Sequence, residues 1–334
     1  MPISSQKAGL LARFEEAARS GGWNVLFLSK NEHPARYRLV HGNNTMLVRV
    51  FIWQISHGGR KNLVNEYRIQ NTGVPDLQQE PGYRNIILGW WPAVDVFAGW
   101  DIRQHLGQVA NSPSMQVHED ALRKALISGF APYKNQKGET AIAIRPDFMA
   151  TYVEFLEALH DSGRIPKEAA VLDKLSTDPD TVPDADIEDI VTGKRKIAIV
   201  TTKKKLRALD FGRRVLSAYG HQCAMCGTQL RLVDGAHILP VEHDDSTDHT
   251  SNGIALCPTH HRAYDRGLVT FDHLFNVSIS EPMVKRLKAE DRAGGLSTFR
   301  KNLRPVLVIP PDKKDRPAAN YVKKANALRG WDVK

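Results

Sequence analysis

The sequence predicts an α+β protein in three parts. These are an N-terminal α/β module with a small antiparallel sheet, a flexible acidic linker, and a small C-terminal strand–strand–helix unit that needs a metal-ion staple. Three observations predict this. Residues 1–160 alternate β-rich apolar runs with amphipathic helical stretches. Residues 173–189 then carry seven acids against Lys174, and residues 194–214 carry nine bases against Asp210. All three cysteines fall between positions 223 and 257, in a stretch too short to bury a core of its own.

In the first module, residues 9–19 form a short amphipathic helix pattern. Strand patterns follow at 36–41, 45–54, 84–91, 94–98 and 140–144, with helices at 119–128 and 146–162. Gly42, Asn43 and Asn44 mark a hairpin turn between the first two strands. Five of the six tryptophans (Trp23, Trp53, Trp90, Trp91 and Trp100) lie here among Arg49, Arg60, Arg68, Arg84 and Arg103. Any one of them reads more readily as a core aromatic or a surface arginine, but as a set they can stack bases and grip phosphate, which points to a recognition module. Residues 65–70 and 112–117 read as functional loops or edges without assignable chemistry. Glu66, Asp95, Asp101 and Glu139 lack the carboxylate and lysine spacing of a second nuclease.

A chain of 334 residues accommodates two or three domains, and 42% hydrophobic residues exclude a disordered polymer. Net charge of +9 and a pI near 9.4 favour a polyanionic partner. No run of eighteen apolar residues occurs, and the start lacks the apolar core of a signal peptide, so a cytoplasmic protein with no membrane partner is expected. The expected division is 1–165 as a substrate-recognition domain, 166–193 as the acidic linker, and 194–334 as the catalytic part with a basic entry segment and a C-terminal extension. The opposite charge blocks on either side of residue 190 can pair when no polyanion is bound. Residues 301–334 are again basic, with a strand-like VLVIPP and a terminal helix expected to pack on the core.

Cys223 and Cys226 form C-x-x-C, and Cys257 and His260 repeat the gap as C-x-x-H. A two-residue gap lets both side chains of a tight turn reach one ion, so the four match a closed tetrahedral structural zinc site. A lone C-x-x-C is also read as buried thiols or a redox pair. His221 is a substitute ligand that breaks the symmetric spacing. Within this frame sit His237, Asn252, His261 and Asp265. Pro258 starts a helix after Cys257, and the gap of four puts His261 and Asp265 on one helical face, where both can reach one metal. A strand over 231–238, a second over 253–256 and this helix make the local fold.

The pieces FGRRVLSAYGHQCAMCG, AHILP, NGIALCPTHH and YDRGL occur in this order. Over about residues 203–309 the segment resembles the HNH, or ββα-metal, nuclease domain, in the subfamily found in bacterial restriction endonucleases. The resemblance implies His237 as general base, Asn252 as the residue holding the base's loop, and His261 as metal ligand. Those types suit phosphodiester hydrolysis. Imidazole titrates near neutrality and can take a proton from water, and a divalent ion neutralises charge on the departing 3′ oxygen. Mg²⁺ or Mn²⁺ is the expected catalytic ion, on His261 and Asp265. Lys203, Lys204, Lys205, Arg207, Arg213 and Arg214 are expected on the phosphate backbone, with Arg262 and Arg266 holding phosphate oxygens. Many HNH domains carry a metal ligand immediately before the base, where this chain has Ala236. Asp234, Asp244, Asp245 and Asp248 are the nearby alternatives, each also readable as a solvated loop acid.

The resemblance therefore implies a metal-dependent DNA endonuclease in restriction or anti-phage defence, nicking once per chain. Its expected partners are double-stranded DNA, including phage or modified DNA, a second copy of the chain, and other proteins of a defence system. Two other readings stand beside it: a zinc-stapled DNA-binding protein with a degenerate catalytic site, made conceivable by Ala236, and a homing-type mobile-element nuclease.

Overall fold

The structure, a computed structural model, describes residues 3–29, 32–60, 63–74, 77–107 and 114–331. It divides into two compact units, Met1–Arg207 and Ala208–Lys334. The α+β class holds in both.

The first unit opens with α1 (Ser5–Ser20), capped by the Ser4 hydroxyl, which accepts from the Lys7 backbone N–H. Leu10, Leu11, Phe14, Ala17 and Ala18 form its buried stripe. Among the described residues the main sheet has seven strands: β1 (Asn24–Phe27), β2 (Ala35–His41), β3 (Asn44–Gln54), β6 (Arg84–Trp91), β7 (Val96–Trp100), β10 (Thr140–Ile144) and β9 (Phe130–Lys134), in that spatial order. It is antiparallel throughout except where β3 runs parallel to β6. Between those two the chain builds β4 (Ser56–His57) and β5 (Glu66–Gln70), which pair with β8 (Ser114–His118) as a second sheet. The stretches 65–70 and 112–117 are thus largely β5 and β8, with 112–113 outside the described residues. β7 and β10 are buried at every position, which is why they read as continuous apolar runs rather than alternating ones. Helix α2 (Glu119–Ser128) precedes β9, and α3 (Met149–Arg164) follows β10.

Two expectations for this unit change. Trp23, Trp53, Trp91 and Trp100 are packed in the core, while Trp90 donates to Asp95 Oδ1 at 2.7 Å. Arg49 pairs with Glu80, and Arg103 with Asp101 and Asp161. This is the bland reading of that set: the rings supply buried apolar area, and the arginines named here are held in ion pairs.

The acidic stretch is not a free tether. It folds as α4 (Pro166–Leu175) and α5 (Asp184–Ile190), with Val171, Leu172, Leu175, Val182, Ile187 and Val191 buried. Its acids lie opposite the bases that open α6 (Gly193–Ala218). Arg195 meets Glu168 at 3.0 Å, Lys196 meets Glu188 at 3.3 Å, Lys203 meets Asp184 at 2.5 Å, and Arg207 meets Asp180 at 2.8 Å. Composition hid this because a short amphipathic helix with an acidic outer face averages to a tether. The division between units falls inside α6 rather than near residue 165 or 193.

The second unit packs the C-terminal part of α6 on a hairpin of β11 (Asp234–His237) and β12 (Gly253–Leu256), followed by α7 (Pro258–Asp265). The helix comes close enough that a Cβ on Gly235 would lie 2.9 Å from the Gly212 Cα, so only glycine fits there. Then come the hairpin β13 (Val269–Phe271) and β14 (Val277–Ile279), α8 (Glu281–Ala289), α9 (Leu296–Asn302) and α10 (Ala319–Leu328). Phe211, Val215, Tyr219, Ile254, Leu256 and Tyr264 are central to the core, and Tyr321, Val322 and Ala325 of α10 complete it. Among the described residues, no helix is long and apolar enough to cross a membrane.

Leu172 is fully buried in α4. Leu172→Ala should lower unfolding free energy by about 2–5 kcal/mol, where a free tether would lose nothing. Urea titration of the purified chain measures the difference.

Candidate functional site

Cys223 and Cys226 sit on a knuckle that follows α6. The Cys223 N–H donates to the Thr228 carbonyl at 2.8 Å, and the Gly227 N–H to the Cys223 carbonyl at 2.8 Å. Gly227 takes φ +81°, the left-handed conformation that closes such a turn. Cys257 is the N-cap of α7, and Pro258 opens the helix. His260, one turn in, therefore points back at the knuckle. The ligand atoms of Cys223, Cys226, Cys257 and His260 all lie within 4.8 Å of one another. Cys226 Sγ is 3.9 Å from Cys257 Sγ, and Cys257 Sγ is 3.2 Å from His260 Nδ1.

Donors of a tetrahedral zinc with Zn–S bonds of about 2.3 Å sit roughly 3.7 Å apart, so the cluster is compatible with that ion. Its electrostatics agree. Burial pushes the Cys223 thiol up to about 12, so a thiolate there needs a cation beside it, and burial lowers His260, keeping its imidazole neutral. His221, at φ +56°, lies outside the group.

His237 ends β11, paired in register with Gly253 at the start of β12. The Asn252 side chain is fully buried and ties the loop that follows His237 at several points. Its Oδ1 accepts from the Leu239 N–H at 2.9 Å, while its Nδ2 donates to Ser246 Oγ at 3.1 Å and to the Thr247 carbonyl at 2.9 Å. The geometry is that of an amide brace across one loop, using both its donor and acceptor ends. Helix α10 and the residue that ends it add contacts: Tyr321 Oη lies 2.8 Å from Thr247 Oγ1, Lys324 meets Asp245 at 2.6 Å, and Arg329 donates to the Ile238 carbonyl at 3.1 Å. The His237 ring stacks on Phe211 of α6 at 3.7 Å and 10°, and its Nε2 lies 3.0 Å from Asp248 Oδ1.

On α7, His261 Nε2 and Asp265 Oδ2 are 3.6 Å apart and both reach solvent. Side by side, an imidazole and a carboxylate suit one divalent ion. Among the described residues no third donor joins them in a cluster. Ala236 points into the core, Asp245 is engaged by Lys324, and Asp248 by His237. Consecutive His260 and His261 thus face different sides of one helix, since neighbours are about 100° apart around its axis.

The expected phosphate-contacting bases divide. Lys203 is buried, donating to the Val182 carbonyl and to Asp184, and Arg207 pairs with Asp180. Arg213 and Arg214 both meet Asp210. Lys204 is exposed and Lys205 half-buried. Arg262 and Arg266 line a groove of about 830 Å³ together with Arg286 of α8 and Arg292 beyond it. Sequence reasoning missed those last two because the fold, not their spacing, returns them to α7. It also gave Phe211 no role, although the residue stands first in the FGRRVL motif.

The family described as HNH endonuclease matches residues 223–272, which span the four-donor cluster, β11, β12 and α7. The family described as methylase-associated X1 matches residues 46–153. No curated protein matches the chain. Among solved structures, the chain is similar to one titled modification dependent TagI restriction endonuclease, at a TM-score of 0.30 and 9% identity over 85% of this chain and 81% of that one, a likeness too slight to bear on the fold. This chain therefore carries an HNH endonuclease domain, preceded in the sequence by a methylase-associated X1 domain.

Proposed function

We propose that this protein is a metal-dependent DNA endonuclease that hydrolyses phosphodiester bonds, nicking one strand per chain, in a restriction or anti-phage setting where its N-terminal domain selects the substrate. The observation that carries the reading is that the HNH match covers a ββα unit holding His237 at a strand end, on a loop braced by Asn252, with His261 and Asp265 paired on the helix. The methylase-associated description of residues 46–153 supports a setting in which base methylation matters. Selection by that domain rests on this match, since its aromatic rings are largely core.

In this reading His237 takes a proton from water, whose oxygen attacks the phosphorus as the bond to the 3′ oxygen breaks, leaving 5′-phosphate and 3′-hydroxyl ends. His261 and Asp265 would hold Mg²⁺ or Mn²⁺, which when bound supplies positive charge beside the scissile phosphate and departing oxygen. Arg262 and Arg266 hold non-bridging oxygens and so orient the phosphate. Asn252 keeps the loop after His237 from drifting. Cys223, Cys226, Cys257 and His260 would hold zinc, which there serves the fold rather than the chemistry.

Metal analysis of purified protein should find one tightly held zinc per chain. Cys257→Ser should lose it and melt residues 208–334, seen as protease sensitivity confined to that unit. A folded, zinc-free preparation would sink the structural-zinc assignment.

For catalysis, the check is conversion of supercoiled plasmid across protein concentrations. Nicked circles should precede linear product, because each chain has one such site. His237→Ala should reduce nicking by about 10²–10⁴-fold with DNA affinity and zinc content intact. Asp265→Ala should raise the Mg²⁺ or Mn²⁺ concentration needed for half-maximal rate. Undiminished cutting by the His237→Ala chain would place the activity elsewhere.

A further inference from the structure

The imidazole of His237 is constrained by two side chains distant in sequence. Phe211 covers one face of the ring, stacked at 3.7 Å and 10°. At the ring edge, Asp248 Oδ1 lies 3.0 Å from Nε2. Both members of that pair are largely shielded, their side chains 17% and 21% exposed. An ionised carboxylate offers only acceptors, so this bond requires the proton on Nε2 and leaves Nδ1 as the bare nitrogen.

Asp248 is itself held in place. Its carbonyl accepts from Arg214 Nη2 at 2.9 Å, and Arg214 Nη1 donates to Thr250 Oγ1 at 3.1 Å, so one guanidinium spans the loop on both sides of His249. The same arginine is anchored to Asp210 Oδ2 at 2.6 Å within α6. A solvated loop acid has no such support. Nor does the arrangement resemble a spare metal ligand, because Asp248 Oδ1 is directed at His237 and Asp248 joins no donor cluster among the described residues.

We infer that Asp248 is the positioning residue for His237: it holds the ring in the Nε2–H tautomer and presents Nδ1 to the attacking water. This rests on the nuclease reading above. When Nδ1 takes the water proton, the ring becomes imidazolium and the Asp248 carboxylate sits against its positive charge. The water oxygen forms the new bond to phosphorus as the bond to the 3′ oxygen breaks, so no further reactant is required. Phe211 blocks the ring flip that would exchange the two nitrogens.

The test uses the full chain labelled with ¹⁵N-histidine, read by long-range ¹H–¹⁵N correlation at a pH where imidazole is neutral, alongside plasmid nicking. His237 in the unaltered protein should show a protonated Nε2 and a bare Nδ1. Asp248→Asn, whose amide can donate to Nε2, should invert that pattern. It should lower kcat on the order of 10²-fold while leaving KM for plasmid, zinc content and the half-maximal Mg²⁺ concentration unchanged. Asp248→Glu should recover part of the rate. An Nδ1–H tautomer in the unaltered protein would overturn the inference, as would Asp248→Asn nicking at the unaltered rate or a raised Mg²⁺ requirement. If Asp248→Asn does not fold, the unaltered protein's tautomer and the Asp248→Glu rate decide. Absence of nicking by the unaltered chain would instead overturn the nuclease reading and with it any catalytic role for Asp248, while the tautomer would still report whether the contact exists.

Discussion

Three thiols and an imidazole converge where the Cys223–Cys226 knuckle meets the junction of β12 and α7, and the rest of the second unit is built outward from that point. Cys223 is fully buried, and burying a thiolate without a cation is costly, so the packing of the knuckle and the charge state of the cluster are one problem. With a cation in place, the end of α6, the hairpin and the first turn of α7 are fixed to one another. Without it, the hairpin has two four-residue strands whose register rests on packing against α6 and α7.

The consequence for chemistry comes through helix geometry. Cys257 caps α7, so the phase of the helix is set at its first residue, and His260 and His261 must then face different sides. The cluster thereby aims His261 and Asp265 without touching them. The surroundings of His237 are set by α6, whose Phe211 and Arg214 reach His237 and Asp248, and by Tyr321 and Lys324 of α10 with Arg329 just after it, which hold the intervening loop. A site made of one short hairpin and one helix is thus held by two longer helices distant in sequence, which limits ring motion at His237 far more than the hairpin could alone.

The first unit illustrates how charge patterning misleads when burial is ignored. Four of the bases that open α6 meet acids contributed by residues 168–188, and Lys203, the most buried of them, also satisfies a backbone carbonyl. Bases engaged in this way are poor phosphate ligands until their acids are displaced, because each new contact must replace an existing one. Among the described residues, the groove lined by Arg262, Arg266, Arg286 and Arg292 carries one acid, Glu290.

What the sequence determined by itself was local. The two-residue gaps of C-x-x-C and C-x-x-H, Pro258 after Cys257, and the four-residue step from His261 to Asp265 are relations within one turn of backbone. Peptide geometry settles those before any packing occurs. The long apolar runs of β6 and β10 were legible for the same reason, having the same bounds in sequence and structure. Only the tertiary structure decided which distant groups meet: Asp248 with His237, α10 with the loop after β11, the acidic helices with α6, and the tryptophans with the core rather than with solvent. Those outcomes depend on which faces of separate elements are driven together by burial, and no fixed spacing along the chain encodes them.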